Sequence, residues 1–330
     1  MVTGVAARRD RGGVGNGDAN GAGEGSDEGR ERCSGRYQRA ADRVGPVSDD
    51  APAQSRNWQR RGQAAAAALA GTWDGLAEVT SGLSPTEWAR PTECPGWDVK
   101  DHLSHLVGIE RSIMGEPAPE WDGPLGDHVR NDFAVLNERW IAVRRPRPGA
   151  EVRAEFLEVT RTRLAQLGAL DEEQWAAVGY SPVGQVPYAV FMEVRVFDSW
   201  VHEQDVRRAL DRPGGSATLA SAISLARVEG AMPFVVGKQA ACAEGTVVRF
   251  EVRGPGDDGR AFTVAVEGGR ARVVGNDVAP SVTLSLSSID FVRLGCGRVA
   301  AEQVLAAGGV SLSGEAAVGR QVLGAMNFMF

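Results

Sequence analysis

Three of the chain's four histidines fall in two short stretches, "CPGWDVKDHLSHL" (94–106) and "RVFDSWVHEQDV" (195–206). In the second stretch Asp198 and His202 are four residues apart. On a helix both would project from one face, about one turn from each other. A carboxylate oxygen and a neutral imidazole nitrogen at that spacing are ordinary ligands for a divalent ion such as zinc. A third ligand has to come from another element, and the first stretch offers His102 and His105. Two ligands from one helix and one from another leave a coordination position open, which is the pattern of a catalytic rather than a structural site. The same spacing also suits a solvated surface pair contributing about 0.2–0.5 kcal/mol, and spacing alone does not choose between the two.

Helices have to carry these side chains, and the sequence provides them. Asp98 is an N-cap for a helix running to about Met114, with Val99, Leu103, Leu106, Ile109 and Ile113 as its apolar stripe. Upstream, Leu69, Trp73, Leu76 and Val79 recur at helical spacing, and "SPTEW" has a capping-box pattern with Ser84 and Glu87. A shorter helix is expected over 127–143 and another over 151–168. A long one, from about Tyr188 to Leu210, stops at "DRPGG". The sum is a bundle of four principal helices. From about residue 215 an alanine-rich helix, near 217–229, leads into segments of period two, "TVVRFEVRG", "AFTVAVEGG" and "SVTLSLSS". These predict half-buried antiparallel strands covered by short C-terminal helices, with Ser313 capping the last. The fold class expected is therefore α plus α+β. Residues 1–55 form a disordered tail, 56–213 the four-helix bundle, and 214–330 a smaller domain with an antiparallel sheet covered by helices. The tail is glycine-rich and nearly free of large apolar side chains, so it cannot bury enough surface to offset its ordering entropy.

Bulk composition narrows the partners. With 36 basic and 43 acidic residues the net charge is −7, which gives no electrostatic reason to expect nucleic acid or an anionic membrane. No uninterrupted apolar run approaches the ~18 residues that span a bilayer, and the first residues lack the order of a secretory signal. The four cysteines, Cys33, Cys94, Cys242 and Cys296, form no CxxC and read as reduced thiols of a cytoplasmic protein.

The two histidine-bearing stretches together resemble the mycothiol-dependent maleylpyruvate isomerase family. Cys94, Gly96, Trp97, Asp101 and His105-Leu106 match the order of that family's first motif, and Asp198 with His202 matches its second. The resemblance spans about residues 57–330. It implies a DinB-like metal-binding bundle followed by a sterol-carrier-like domain. It carries the metal ligands over to His105, Asp198 and His202, leaving His102 outside the set. Some members have glutamate where this chain has the shorter Asp198. The implied cofactors are a divalent metal, Zn²⁺ by its chemistry, and mycothiol as cosubstrate. The implied partners are that small thiol and a small electrophilic substrate.

A thiol held by Zn²⁺ loses its proton and becomes the nucleophile, so no side chain of the chain itself is assigned as catalytic. Cys94, before a Pro-Gly turn, reads as structural. Asp101 is either an acceptor for a histidine N–H or a support for the first turn of its helix. Arg195, one turn before Asp198, either meets an anionic substrate or is salt-bridged. Trp97 and Trp200 line a pocket or belong to the core. The rest of the substrate is expected in a cleft between the two domains. A non-catalytic alternative keeps the metal as a structural or sensing element while the second domain binds an apolar ligand or a protein.

Overall fold

The computed structural model describes residues 57–254 and 259–329, so the expected tail lies outside the described residues. The chain begins with α1 (Trp58–Val79), α2 (Pro85–Trp88), α3 (Val99–Ile113), α4 (Asp132–Ala142), α5 (Gly149–Gly168) and α6 (Glu172–Ala176). A short antiparallel hairpin, β1 (Val178–Ser181) and β2 (Gly184–Pro187), then leads into α7 (Tyr188–Ala209). Four long helices form the bundle: α1 packs on α7 and α5, and α3 packs on α5 and α7. Its core is the set that helical spacing selects, Leu69, Trp73, Leu76, Leu103 and Leu106, joined by Phe156, Met192, Val196 and Trp200.

The helix ends follow the capping chemistry. Ser84 and Glu87 close a capping box on α2. Asp98 accepts the Asp101 N–H at 2.9 Å while Asp101 Oδ2 takes the Asp98 N–H at 3.3 Å, which starts α3 at Val99. The turn before it is pinned by Thr92 N–H donating to Trp97 O and Trp97 N–H donating to Cys94 O, both at 3.1 Å. Gly96 sits there at φ +80°, and a Cβ on it would lie 2.3 Å from the His128 ring, so the turn needs glycine for both dihedral and space.

The second unit opens with α8 (Leu219–Phe234), continued by a π-helical turn over Val235–Gln239. This helix outruns its expected end near 229. Val228, Ala231, Met232, Val235 and Val236 are all buried, and that burial outweighs the helix-breaking tendency of Gly230 and Pro233. By length and composition alone Leu219–Gln239 is also apolar enough to cross a membrane. Here its apolar face packs on α7, α1 and the sheet.

The sheet contains β3 (Val247–Arg253), β4 (Arg260–Glu267), β5 (Arg270–Val274), β6 (Val282–Ser287) and β7 (Val310–Gly314), in the order β5-β4-β3-β6-β7. The helices α9 (Ser288–Gly295), α10 (Ala301–Ala306) and α11 (Ala316–Gly324) complete it. The period-two pattern holds: Val248, Phe250, Val252, Val282, Leu284 and Leu286 are all buried, and Phe250 stacks on Phe262 with centroids 4.9 Å apart.

One expectation is corrected. The sheet is mixed, because β3 and β6 pair in parallel, Phe250 opposite Leu284. The cause is the 275–281 connection. Arg249 donates to Asn276 O and Val278 O at 2.5 and 3.0 Å, Thr263 donates to Asn276 at 2.9 Å, and the chain is returned to the end of the sheet where β3 begins. Alternation reports which face is buried and says nothing of strand direction. Ser313 is a second correction: it lies in β7, and the N-cap of α11 is Glu315.

The bundle is packed closely enough to be tested at a single atom. In α1 a Cβ on Gly62 would lie 2.2 Å from the fully buried Trp175 ring. Gly62→Ala is expected to destabilise the fold by about 1–3 kcal/mol through overpacking, read by urea unfolding, despite alanine's better helix propensity.

Candidate metal centre

α3 and α7 bring His105, Asp198 and His202 together. His105 Nε2 lies 3.3 Å from Asp198 Oδ2 and 3.4 Å from Oδ1, and His202 Nε2 lies 3.7 Å from Asp198 Oδ1. One ligand atom from each residue falls within 4.8 Å of the others. Ligands at ~2.1 Å from a tetrahedral zinc stand about 3.4 Å from one another, so the separations fit a shared ion. His105 Nδ1 is buried with no hydrogen-bond partner, which leaves Nε2 as the nitrogen that faces the polar centre. Both imidazoles are nearly covered while Asp198 keeps 26% of its side chain exposed, so the centre is reached from the carboxylate side.

His102 falls on the other side of His202. Its Nδ1 is 2.9 Å from His202 Nδ1, and its Nε2 is 2.8 Å from Thr92 Oγ1. With Asp205, 3.6 Å from His202 Nδ1, it makes a second group of potential ligands that shares His202. Two observations weigh against an ion there. At 2.9 Å the two nitrogens are at hydrogen-bond distance, which requires a proton on one of them. Asp205 is already engaged by Arg208 at 2.6 Å and Arg298 at 3.0 Å. Trp97 closes over all three imidazoles, with ring centroids 5.0 Å from His105 and 5.4 Å from each of the other two.

The electrostatics follow from burial. Desolvation pushes the imidazole of His105 down to about 4 against the pull of Asp198, so it is held neutral. His102 is likewise held well below its ordinary range, by burial and by the neighbouring His202. Asp198 is only partly covered, and against desolvation Arg195 and His105 hold its carboxyl well below the usual carboxylate range. Desolvation opposes a charge on His202, but its hydrogen bonds to Asp198 and Asp205 raise its imidazole above the ordinary value. Arg195 supplies the permanent cation at the carboxylate, its Nη1 2.5 Å from Asp198 Oδ2. Arg195 is in turn held 2.9 Å from Glu110, which also binds Arg163 Nε at 2.9 Å. Arg195 is therefore committed to two carboxylates.

Asp101 takes the helix-supporting role. Its carboxylate closes the α3 cap and is bonded by Arg145 at 3.2 and 3.3 Å, and no histidine is among these partners. Trp97 lines the centre, whereas Trp200 is core and donates Nε1–H to Gly215 O at 2.7 Å. His128 sits apart, 3.2 Å from Glu138.

A family model described as mycothiol maleylpyruvate isomerase N-terminal domain matches residues 69–207, and one described as the SCP-2 sterol transfer family matches 236–327. The first match falls on the bundle and the second on the sheet domain. Among solved structures, the chain is similar to the mycothiol-dependent maleylpyruvate isomerase, at 16% identity over 76% of this chain and 92% of that one, with a TM-score of 0.44. A point mutant of that enzyme gives the same identity and coverage with a TM-score of 0.45. The sterol carrier protein domain 2 of Helicoverpa armigera gives 21% identity over 30% of this chain and 78% of that one, with a TM-score of 0.24. No curated protein matches the chain.

Sequence reasoning passed over Glu110, Thr92 and Asp205. Glu110 carried a usable signal: it lies five residues after His105 on the same helix and is an acid within an apolar stripe. Asp205, three residues after His202, faces the same way by helical spacing. Thr92 carried none, because a ten-residue separation from His102 across a turn has no periodicity.

The Glu110 network gives a direct test. Glu110→Ala would leave Arg163 and Arg195 buried without their shared partner, and the expected loss is about 3–5 kcal/mol in chemical unfolding. A loss below about 1 kcal/mol would mean that water compensates both guanidinium groups.

Proposed function

We propose that the chain is a divalent-metal enzyme that uses a low-molecular-weight thiol, mycothiol, on a small electrophilic substrate, by isomerisation or S-transfer. The family points to a mycothiol maleylpyruvate isomerase-like activity. The observation that carries the finer reading is the convergence of His105 Nε2, Asp198 and His202 Nε2 at 3.3–3.7 Å, with the carboxylate side open. A divalent ion held there would supply the positive charge that keeps a thiol deprotonated at neutral pH, and the thiolate is the nucleophile.

The chain's own residues set the conditions for that chemistry. Burial keeps His105 neutral, the form in which an imidazole can serve as a metal ligand. Arg195, anchored by Glu110, orients Asp198. Trp97 covers the imidazoles and excludes water from their side. At an activated double bond, the thiol sulfur forms a C–S bond, the former double bond turns as a single bond, and expulsion of the same sulfur restores it in the other geometry. At a carbon bearing a leaving group, the same attack leaves a thioether.

A cleft of about 420 Å³ lies between Glu93 of the bundle and Asp290, Arg293, Arg298 and Gln303 of the sheet domain, and none of His105, Asp198 and His202 lines it. A structural metal would call for a fourth protein ligand, and the group contains three. A thiol cosubstrate also places the protein where thiols stay reduced, the cytoplasm.

Elemental analysis tests the ligand set. The wild type should carry one divalent ion per chain, and His105→Ala, Asp198→Ala and His202→Ala should each lose it. Equal metal content in wild type and His202→Ala would sink the assignment. In parallel, thiol consumption with a maleyl-type substrate should stop on chelation and return with zinc.

The chain's own sulfur is a separate test. Burial pushes the thiols of Cys94 and Cys296 up to about 12. Both should resist iodoacetamide at about pH 8 in the folded protein, read by mass spectrometry of the digest. Rapid labelling of Cys94 would instead put a nucleophile within the chain.

A further inference from the structure

We propose that His102 is a positioning residue: through one directed hydrogen-bond chain, Thr92 and His102 place the proton of His202 on Nδ1, so that its Nε2 lone pair is presented toward His105 and Asp198. This rests on the metal reading above and adds a function for the histidine which that reading leaves without one.

The direction of the chain follows from counting protons and lone pairs. Thr92 Oγ1 has one hydrogen and three neighbours: the Trp97 carbonyl at 3.1 Å, the Cys94 N–H at 3.2 Å and His102 Nε2 at 2.8 Å. The Cys94 N–H can only donate and the Trp97 carbonyl can only accept. If the hydroxyl hydrogen goes to Trp97 O, every contact is a bond, and His102 Nε2 must donate into the hydroxyl. If it goes to His102, two oxygen atoms face each other at 3.1 Å with no hydrogen between them. His102 therefore has its proton on Nε2 and an acceptor at Nδ1. The 2.9 Å contact then requires His202 to donate from Nδ1. Asp205 Oδ2, 3.6 Å from that nitrogen, favours the same placement, and Arg298 and Arg208 keep its carboxylate in place.

The opposite polarity would put the proton of a neutral His202 on Nε2, facing Asp198 and closing that nitrogen to a metal. His102 is fully buried, so water does not supply an alternative partner. Supporting groups of this kind, which fix the tautomer of a ligating histidine, typically change metal affinity by about 10–100-fold when removed.

Two measurements test this, one of them without metal. In the metal-free protein at alkaline pH, where the imidazoles are neutral, long-range ¹H–¹⁵N spectra should show His202 as the Nδ1–H tautomer in the wild type. They should show a mixture or the Nε2–H form in His102→Leu and in Thr92→Val. Zinc titration against a competing chelator should show His102→Leu weaker than wild type by about 10–100-fold, at an unchanged one ion per chain at excess metal. Thr92→Val, which is nearly isosteric and leaves both histidines in place, should be intermediate. His102→Gln, whose side-chain carbonyl can accept from His202, should recover part of the loss.

An Nε2–H tautomer in the wild type would overturn the proposal. So would wild-type affinity in both His102→Leu and Thr92→Val while His105→Ala abolishes binding. Complete loss of the site in His102→Leu would make His102 a ligand and not a positioning residue. If His105→Ala retains zinc, the ligand set proposed for the function is itself wrong, and that result is distinct from the others.

Discussion

A carboxylate largely withdrawn from water beside buried imidazoles needs a permanent cation, and the arrangement around the centre follows from that requirement. Asp198 meets it with Arg195, and Arg195, itself buried, shares Glu110 with Arg163. The alternation of charge runs across three helices, α7, α3 and α5, so the residues that hold the centre together also tie the bundle together. Removing one member leaves a buried charge without a partner, which costs far more than the pair itself contributes. A guanidinium and a metal ion compete for the same carboxylate only in part, because Asp198 has two oxygens and Arg195 engages Oδ2.

A second set of charges, with the buried Asp205 at its centre, lies on the opposite side of His202. Asp205 is held by Arg208 and by Arg298, and Glu93 joins Arg208 to Arg293. Arg293 and Arg298 belong to the sheet domain, so its docking is coupled by direct contact to the helix that carries two of the three proposed ligands. Its arginines thus join the bundle's own Arg208 in pairing with Asp205 and Glu93.

Much of the candidate centre was legible from residue types at short range. Asp198 and His202 share a face because a helix has 3.6 residues per turn, and His105 is distinguished from His102 by the family motif. What separates the two histidines physically is three-dimensional. They lie on neighbouring faces of α3, His102 toward the Thr92 turn and His105 toward Asp198. The sheet was read correctly as to which residues are inside, since alternation is a local property, and incompletely as to strand direction, because that depends on a connection whose path is set by Arg249. The hairpin at 178–187 went unread because it is exposed, with Val178 and Tyr180 at the surface, and has no buried face to impose a pattern.

Local physics, acting over a few residues, determined the helices and their caps, the buried faces of the strands and the acid–imidazole pair one turn apart. Tertiary structure decided which imidazole completes that pair and what His102 does. Those are questions of distance between residues 93 and 100 positions apart in the chain, and only packing the helices against one another sets such distances.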